Sequence, residues 1–392
     1  MDLFQLQDFD GHEQVIFGCD PAAGLRAIIA IHSTALGPAA GGCRMWPYAS
    51  SADAVVDALR LSRGMSYKNA MAELPFGGGK AVIIGDPREK TRQQMAAFGR
   101  LVDSVAGRYI TAEDVGTTTA DMEQVACVTP FVSGLPRESA RGVGPGQPIG
   151  GDPGPKTALG VFLGLKAAVR FRLGRVSLEG LRIAVQGLGG VGYPLCRLLA
   201  AEGASLRVAD ARPGAARRVC EELGAQEVSV ESILAQDVDV VAPCALGAIL
   251  DSRSIPTLRA QVIAGAANNQ LARDADGEAL LRAGILYAPD YVINAGGIIS
   301  VAHEYRGDAT AAQVKAEIER IPVRLTEIFE RARREGRPTS AVADEMARER
   351  LASGARRMGE PVLSARTLNV SSLRRAPAQD ARAGGPAATE GH

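Results

Sequence analysis

Nothing in this chain gathers into a metal site. Its four histidines, His12, His32, His303 and His392, stand apart from one another in sequence and from any cysteine cluster. A structural or catalytic zinc ion needs grouped Cys and His ligands, so none is expected. The six cysteines (Cys19, Cys43, Cys127, Cys196, Cys220 and Cys244) are scattered, and no two form a C-x-x-C pair. An excess of one charge is also missing: Lys plus Arg number 44 and Asp plus Glu number 44. A balanced chain lacks the electrostatic footprint of a nucleic-acid or membrane-surface protein. No run is long and apolar enough to span a bilayer. The opening residues, MDLFQLQDFDGHEQ, are acidic and polar and carry no apolar core of an export signal. Together these absences lead to the expectation of reduced thiols and a cytoplasmic location, with neither nucleic acid nor membrane as partner.

What is present fits two ordinary domains: 392 residues, 46% hydrophobic and 22% charged. There is no internal repeat. In the first part, Ala27 to His32 and Lys80 to Ile84 read as buried strands. Ser51 to Arg63 reads as a helix with Gly64 just past its end. Gly142 to Pro155 is dense in Gly and Pro and reads as a linker, and Thr157 to Phe171 reads as a helix.

From Leu181 the pattern becomes regular. A strand to Gln186, a helix over Gly192–Ala201, a strand at SLRVAD and a helix over Ala215–Leu223 follow in order. Further strands are predicted to end at Cys244, Asn268 and Asn294. Short apolar strands alternating with helices imply a parallel sheet covered on both faces. Beyond Ser300 the chain reads as helical again, from Ala311 to about Ala352. The expected organisation is an α/β fold in four parts. Residues 1–150 form a first α/β domain, and 151–305 a doubly wound, Rossmann-type domain. Helices in 306–372 return to the first domain, and 373–392 form a disordered tail rich in Ala, Gly, Pro and Arg.

Gly187, Gly189 and Gly192 spell G-x-G-x-x-G in a chain that holds 45 glycines. The motif alone is weak, and a flexible loop is its bland reading. Its context is specific, because it follows an apolar strand and opens a helix. Gly187 then makes the tight turn, Gly189 admits a pyrophosphate to the backbone, and Gly192 lets helix and strand pack closely. The helix N-terminus offers free N–H groups to the phosphates. Asp210 ends the next strand, where an acidic side chain holds ribose hydroxyls and repels a 2′-phosphate. That selects NAD over NADP, with Arg212 nearby leaving room for dual use.

Two lysines, Lys68 and Lys80, flank the run Gly77–Gly79. A lysine is most often a solvated surface charge. Lys80 is unusual because it sits between triple glycine and the apolar AVII. A lysine held out of water loses affinity for its proton and becomes a candidate base. Asp114, at a strand-to-loop junction, is placed to relay protons with it. Met45, Trp46, Met65 and Phe76 line a pocket or fill core, and core filling is the commoner case. Met65 precedes Lys68 by one helical turn. Cys43 and Cys244 read as small buried groups rather than nucleophiles, since no histidine partner is evident.

Several long segments carry a resemblance: HSTALGPAAGGCRMWPY, GMSYKNAMAELPFGGGKAVIIGDP, RYITAEDVGTT, AVQGLGGVG, DVVAPCALGAIL, VIAGAANNQL and GILYAPDYVINAGG. They resemble the Glu/Leu/Phe/Val dehydrogenase family, and its leucine, valine and phenylalanine branches more than its glutamate enzymes. The resemblance runs from about His12 to His303. It implies NAD-dependent oxidative deamination of an apolar L-amino acid to its 2-oxo acid and ammonia by a homo-oligomer, from dimer to octamer. Lys80 is then the base that activates water, Asp114 assists proton transfer and Lys68 binds the substrate carboxylate. Gly41 and Gly42 line the carboxylate pocket through the backbone. Met65, Ala40, Ala112 and Val292 surround the substrate side chain. Asn268, and with it Asn269, contacts substrate or the nicotinamide end. Thr157 lies near the carboxamide, and Gly190, Val191, Cys244 and Ala245 complete the cofactor site.

The chain departs from the family pattern in places. The stretch Arg141–Pro155 is richer in Gly and Pro. Ala302, His303, Glu304 and Tyr305 replace an acidic-aliphatic run after NAGG, and Ala40 stands where many leucine enzymes carry a larger residue. Branched-chain substrates are favoured by the resemblance, while Ala40 opens room for phenylalanine or tryptophan. Two rivals remain: a glutamate dehydrogenase, which needs a cation for the side-chain carboxylate, and a catalytically silent NAD-binding sensor.

Overall fold

A computed structural model describes residues 2–135, 152–245 and 247–359. The tail over 373–392 and most of the Gly/Pro-rich stretch from Arg141 lie outside them. The first domain is a mixed sheet of β1 (Gln14–Asp20), β2 (Leu25–Ser33), β3 (Ala39–Trp46), β4 (Gly77–Ile84) and β5 (Tyr109–Glu113), in the order β1-β2-β4-β3-β5. The β1–β2 and β2–β4 pairs are antiparallel, and β3 runs parallel to β4 and β5. Helices α1 (Ser51–Met71), α2 (Arg92–Ser104) and α3 (Thr119–Ala126) cover it. Ile28, Ala30 and Val82 face Ala54, Val55 and Leu59 of α1, whereas Ile29, Ile31 and Ile83 face Met95, Phe98 and Val102 of α2. Burial on both faces explains why these strands read as continuous apolar runs.

Two expectations shift here. Helix α1 does not stop before Gly64 but continues two turns to Met71. Gly64 offers a side chain no neighbour within 4 Å. Ser66, Tyr67, Asn69, Ala70 and Met71 are buried, so packing beyond the glycine outweighs its low helix propensity. Ser50 caps the N-terminus by accepting from Asp53 N at 3.1 Å. Strand β4 begins at Gly77, not Lys80. A Cβ on Gly78 would overlap the backbone of Ser66, and one on Gly79 would sit 2.7 Å from the Tyr109 ring. Gly78 is therefore what lets α1 and β4, the carriers of the two lysines, lie against each other, while Gly79 makes room for Tyr109.

The second domain holds α4 (Gly154–Leu173), β6 (Arg182–Gln186), α5 (Gly192–Ala201), β7 (Ser205–Ala209), α6 (Ala215–Leu223), β8 (Gln226–Glu227), β9 (Val240–Pro243), β10 (Val262–Ile263), α7 (Asp274–Arg282) and β11 (Leu286–Tyr287). Every pair in its sheet is parallel, and the order is β11-β10-β9-β6-β7-β8. Strand order reverses between β6 and β9, the switch point at which open α/β sheets bind ligands. The glycine turn follows β6 at that point, and Cys244 follows β9.

The strands predicted to end at Asn268 and Asn294 are cut short. Only Val262–Ile263 and Leu286–Tyr287 keep ladder partners. After Pro289, which fixes its own backbone and donates no hydrogen bond, residues Asp290–Ile293 wind into α8. The Gly296-Gly297 pair opens helix α9 (Gly296–Arg306), where a Cβ on Gly296 would overlap Lys156 O. The helical run from Ala311 divides into α10 (Ala311–Ile318), α11 (Ile321–Glu335) and α12 (Thr339–Gly359). Gly336, at φ 62°, ends α11. Helix α11 packs on α4 and α8, while α12 returns to α1. There Arg350 donates to Ala70 O at 3.1 Å and Arg348 to Tyr67 Oη at 2.9 Å. No helix among the described residues is long and apolar enough to cross a membrane.

Candidate active site

A cleft of about 850 Å³ opens between the two domains. One wall is the face of α1 that carries Gly64, Met65 and Lys68, residues one helical turn apart. The floor comes from β3, β4 and the end of β5, which bring Ala40, Gly41, Gly42, Lys80, Ala112 and Asp114 together. The far wall belongs to the second domain, with Thr157, Val191, Asn268, Asp290 and Asn294.

Lys80 is only 5% exposed, yet it is not an isolated charge. Its Nζ lies 2.9 Å from Asp114 Oδ2. Arg44 Nε donates to the same oxygen at 3.1 Å. Burial alone would raise the Asp114 carboxyl, but Lys80 and Arg44 outweigh it and hold its pKa below the ordinary value. The loop that follows is fixed by Thr117. Its Oγ1 accepts from Asp114 N at 2.9 Å and donates to Cys43 O at 2.8 Å.

Lys68 differs. Among the described residues its side chain makes no hydrogen bond and no ion pair. Burial pushes its pKa down to about 8, with Asp290 opposing and Lys80 adding to the fall. A partly buried cation without a paired anion is expensive, so this site favours an arriving carboxylate. Asp290 itself accepts from Gln270 N at 2.8 Å, and burial raises its carboxyl. Asn294 Nδ2 donates to Asn268 Oδ1 at 2.8 Å and to Ala266 O at 3.0 Å, which fixes the face Asn268 presents. Asn269 beside it holds φ 51°, a left-handed conformation that asparagine tolerates.

The glycine turn fits a dinucleotide. Gly187 has φ 90°, and a Cβ there would stand 2.7 Å from that of Ala245. A Cβ on Gly192 would overlap Gly187 O, so helix α5 meets β6 only through glycine. Gly189 and Gly190 have nothing within 4 Å of a Cβ position, which leaves their backbone open to a phosphate. Asp210 Oδ2 accepts from Leu188 N at 2.7 Å, tying the acidic strand end to the turn. Arg212 folds onto Asp210, with Nε 3.1 Å from Oδ1. Burial opposes ionisation of Asp210, and Arg212 with the backbone donors overcomes it.

Of the residues singled out in the sequence, Lys68, Lys80 and Asp114 and the small residues around them converge in the cleft, joined by Met65, Asn268, Asn269, Thr157 and Val191. Gly187, Gly189, Gly190, Gly192, Asp210, Cys244 and Ala245 gather at the switch point, outside the cavity lining. Val292 does not join either group. It is 1% exposed in the hydrophobic core, because α8 turns that side of the chain inward. Met45 is core and Trp46 is 50% exposed, whereas Phe76 lines the cleft. Among the described residues Cys43 and Cys244 have no histidine beside them; burial pushes both thiols up, Cys244 to about 12. Sequence reasoning missed Arg44, Asp290 and Asn294. Arg44 did leave a signal: it is a lone charge in a strand of small and apolar residues, two positions from Gly42 on the same face.

Comparisons with known proteins agree along the chain. Residues 12–129 match the family model described as Glu/Leu/Phe/Val dehydrogenase, dimerisation domain. Residues 211–359 match Glutamate/Leucine/Phenylalanine/Valine dehydrogenase. The chain is 49% identical over 352 residues to leucine dehydrogenase of Geobacillus stearothermophilus, covering 90% of this chain and 94% of that one. It is 46% identical to valine dehydrogenase of Streptomyces coelicolor, covering 88% and 93%. Among solved structures, L-tryptophan dehydrogenase of Nostoc punctiforme superposes with a TM-score of 0.76 at 45% identity, covering 88% of this chain and 97% of that one.

Proposed function

The chain belongs to the Glu/Leu/Phe/Val dehydrogenase family, and from that premise we propose that it deaminates an apolar L-amino acid oxidatively and reversibly with NAD. It is an oxidoreductase acting on the CH–NH2 group of its donor. One observation carries the reading: the Lys80–Asp114 pair and Lys68, which has no ion pair among the described residues, share one cleft. A silent NAD-binding sensor has no need to keep all three together.

The cofactor, when bound, takes the hydride from the substrate Cα. The chain's own residues do the rest. Gly189 and Gly190 leave room for the pyrophosphate, and Asp210, tied to the glycine turn, accepts from the ribose hydroxyls. Its fixed negative charge favours NAD over NADP. Lys68 pairs with the substrate carboxylate and turns Cα toward the second domain. Thr157 and Asn268 stand on that side of the cleft. Lys80 removes a proton from the water that attacks the substrate iminium, and Asp114 fixes Lys80 and shares its proton. Over the cycle, amino acid, water and NAD+ become 2-oxo acid, ammonium, NADH and one proton.

The side-chain end of the cleft is apolar. Ala40, Met65, Phe76, Ala112, Ala302 and Tyr305 line it. Two arginines reach the cleft, and both are engaged: Arg44 by Asp114 and Asp57, Arg60 by Asp8 at 3.6 Å. Arg44 is thus not free for a glutamate side chain, and Arg60, 59% exposed, offers only a solvated charge, which pairs weakly. Branched-chain substrates such as leucine and valine are the favoured reading, on the likeness to leucine and valine dehydrogenases. Phenylalanine or tryptophan is the second reading, favoured by the small Ala40 and by Gly64, whose Cβ position has no neighbour within 4 Å. A homo-oligomer formed through the N-terminal domain accords with the dimerisation model it matches. A cytoplasmic location accords with the free cysteines among the described residues. Initial rates of NAD reduction against the twenty L-amino acids, with Lys80→Ala as control, test the proposal.

A further inference from the structure

Strand β3 carries Gly42, Cys43 and Arg44 in succession. Cys43 is buried in the core under the sheet, so Gly42 and Arg44 share the opposite face, toward the cleft. There Arg44 is held from two sides. Its Nε donates to Asp114 Oδ2 at 3.1 Å, and its Nη1 lies 3.0 Å from Asp57 Oδ2 on α1. Asp57 in turn accepts from Tyr48 Oη at 2.5 Å. Asp114 Oδ2 thus receives both Arg44 Nε and Lys80 Nζ, while Oδ1 accepts from no described residue.

We propose that Arg44 is a positioning residue for the reaction: its guanidinium locks Asp114 Oδ2 beside Lys80 and leaves Oδ1 as the carboxylate's open oxygen. This rests on the reading of Lys80 and Asp114 given above. A guanidinium suits the task because its planar fork reaches two acceptors at fixed angles. Its charge also acts on the pair. A cation 3.1 Å from the shared oxygen disfavours a proton on Asp114. Loss of that cation lets Asp114 take up a proton at higher pH, so the acidic limb of the activity profile moves to higher pH. The other groups facing Asp114 are Asp57 and Lys68 from α1, Cys43 from β3, Tyr48 just beyond it and Tyr109 from β5. Burial raises the Cys43 thiol and the Tyr48 and Tyr109 phenols, so these three stay neutral across the working range. Asp57 and Lys68 stay in place in every variant.

The test is a double-mutant cycle on the full chain, read as kcat, KM and the pH dependence of kcat/KM for the best substrate. Arg44→Met should lower kcat about tenfold and move the acidic limb up by about one pH unit. KM for the amino acid and affinity for NADH should change less than about threefold. In an Asp114→Asn background the same change should cost less than about twofold, because Arg44 acts through Asp114. Arg44→Lys keeps the charge but cannot span both carboxylates, and should lose roughly threefold in kcat. Additive losses in the cycle, or an unmoved limb in Arg44→Met, overturn the inference. Should Arg44→Met not fold, Arg44→Lys decides: wild-type kcat in that variant overturns it equally. Wild-type turnover in Asp114→Asn alone would instead sink the role of Asp114, and the inference with it.

Discussion

Lys80 and Asp114 meet across β3, from the two strands that flank it, at 2.9 Å between Nζ and Oδ2. Cys43 is in register with Ala81 on one side and Glu113 on the other, so the pair sits beside this row. Gly42 lies beneath, and a Cβ there would stand 2.9 Å from that of Asp114. The missing side chain clears the space in which base and carboxylate touch, in the cleft that Lys68 also lines.

Removal of Lys80 should separate chemistry from binding. Lys80→Ala is expected to lower kcat by about 10²–10⁴-fold, the usual contribution of a positioned acid–base group. NADH affinity, read by fluorescence titration, should be unchanged, because the glycine turn is on the other domain. A loss of NADH affinity as large as the loss of turnover contradicts the assignment.

The depressed pKa of Lys68, about 8 in the free enzyme, predicts a pH-dependent KM. Below that value the ammonium form dominates and pairs with the substrate carboxylate. Above it the lysine is neutral and the attraction is lost. The kcat/KM profile should therefore fall on its alkaline side, by about tenfold per pH unit well above the pKa. Lys68→Met should raise KM and abolish that limb. A variant that kept the limb would show that another group titrates there.

Cofactor choice rests on Asp210. The wild type should prefer NAD to NADP by at least about tenfold in kcat/KM, roughly the effect of 1.4 kcal/mol of repulsion. Asp210→Ala should narrow the ratio, and it also releases Arg212 to meet a 2′-phosphate. Equal use of both cofactors by the wild type contradicts this role.

Gly78 tests the contact between the two lysine-bearing elements. Gly78→Ala places a methyl against the Ser66 backbone, which no side-chain rotation relieves. Overpacking of this kind costs about 1–3 kcal/mol, and more where backbone must move. A lower Tm is expected, together with a loss of activity that persists in the folded fraction, since α1 carries Lys68. A variant with unchanged Tm and kcat/KM would show that the contact yields easily.

Much of this was legible from the chain. The glycine motif, the helices over Gly192–Ala201 and Ala215–Leu223 and the pairing of Lys80 with Asp114 follow from local rules: strand, turn, helix, and a lysine among glycines. The failures have a common physical cause. Gly64 reads as a helix end, yet packing of Tyr67 and Met71 carries α1 past it to place Lys68. Val292 reads as a pocket residue, yet the turn at Pro289 winds Asp290–Ile293 into a helix and buries it. Arg44, Asp290 and Asn294 matter through partners far away in sequence, and no periodicity reports those.

Substrate class is set where the cleft is apolar. Ala40→Leu should lower activity on phenylalanine more than on valine, because the added branch takes volume a ring needs. One methylene is worth about 1–3 kcal/mol in such pockets, so the ratio should move at least severalfold. An equal loss on both substrates would place Ala40 outside the side-chain pocket.

The most direct measurement is the rate of NADH formation from NAD with each of the twenty L-amino acids, and of NADH oxidation with ammonium and the matching 2-oxo acids. The highest kcat/KM is predicted for leucine, valine or isoleucine, with glutamate rejected because an unpaired buried carboxylate costs several kcal/mol. A maximum at phenylalanine or tryptophan would shift the substrate within the same chemistry. A maximum at glutamate, or no NAD reduction with any amino acid, would contradict the account.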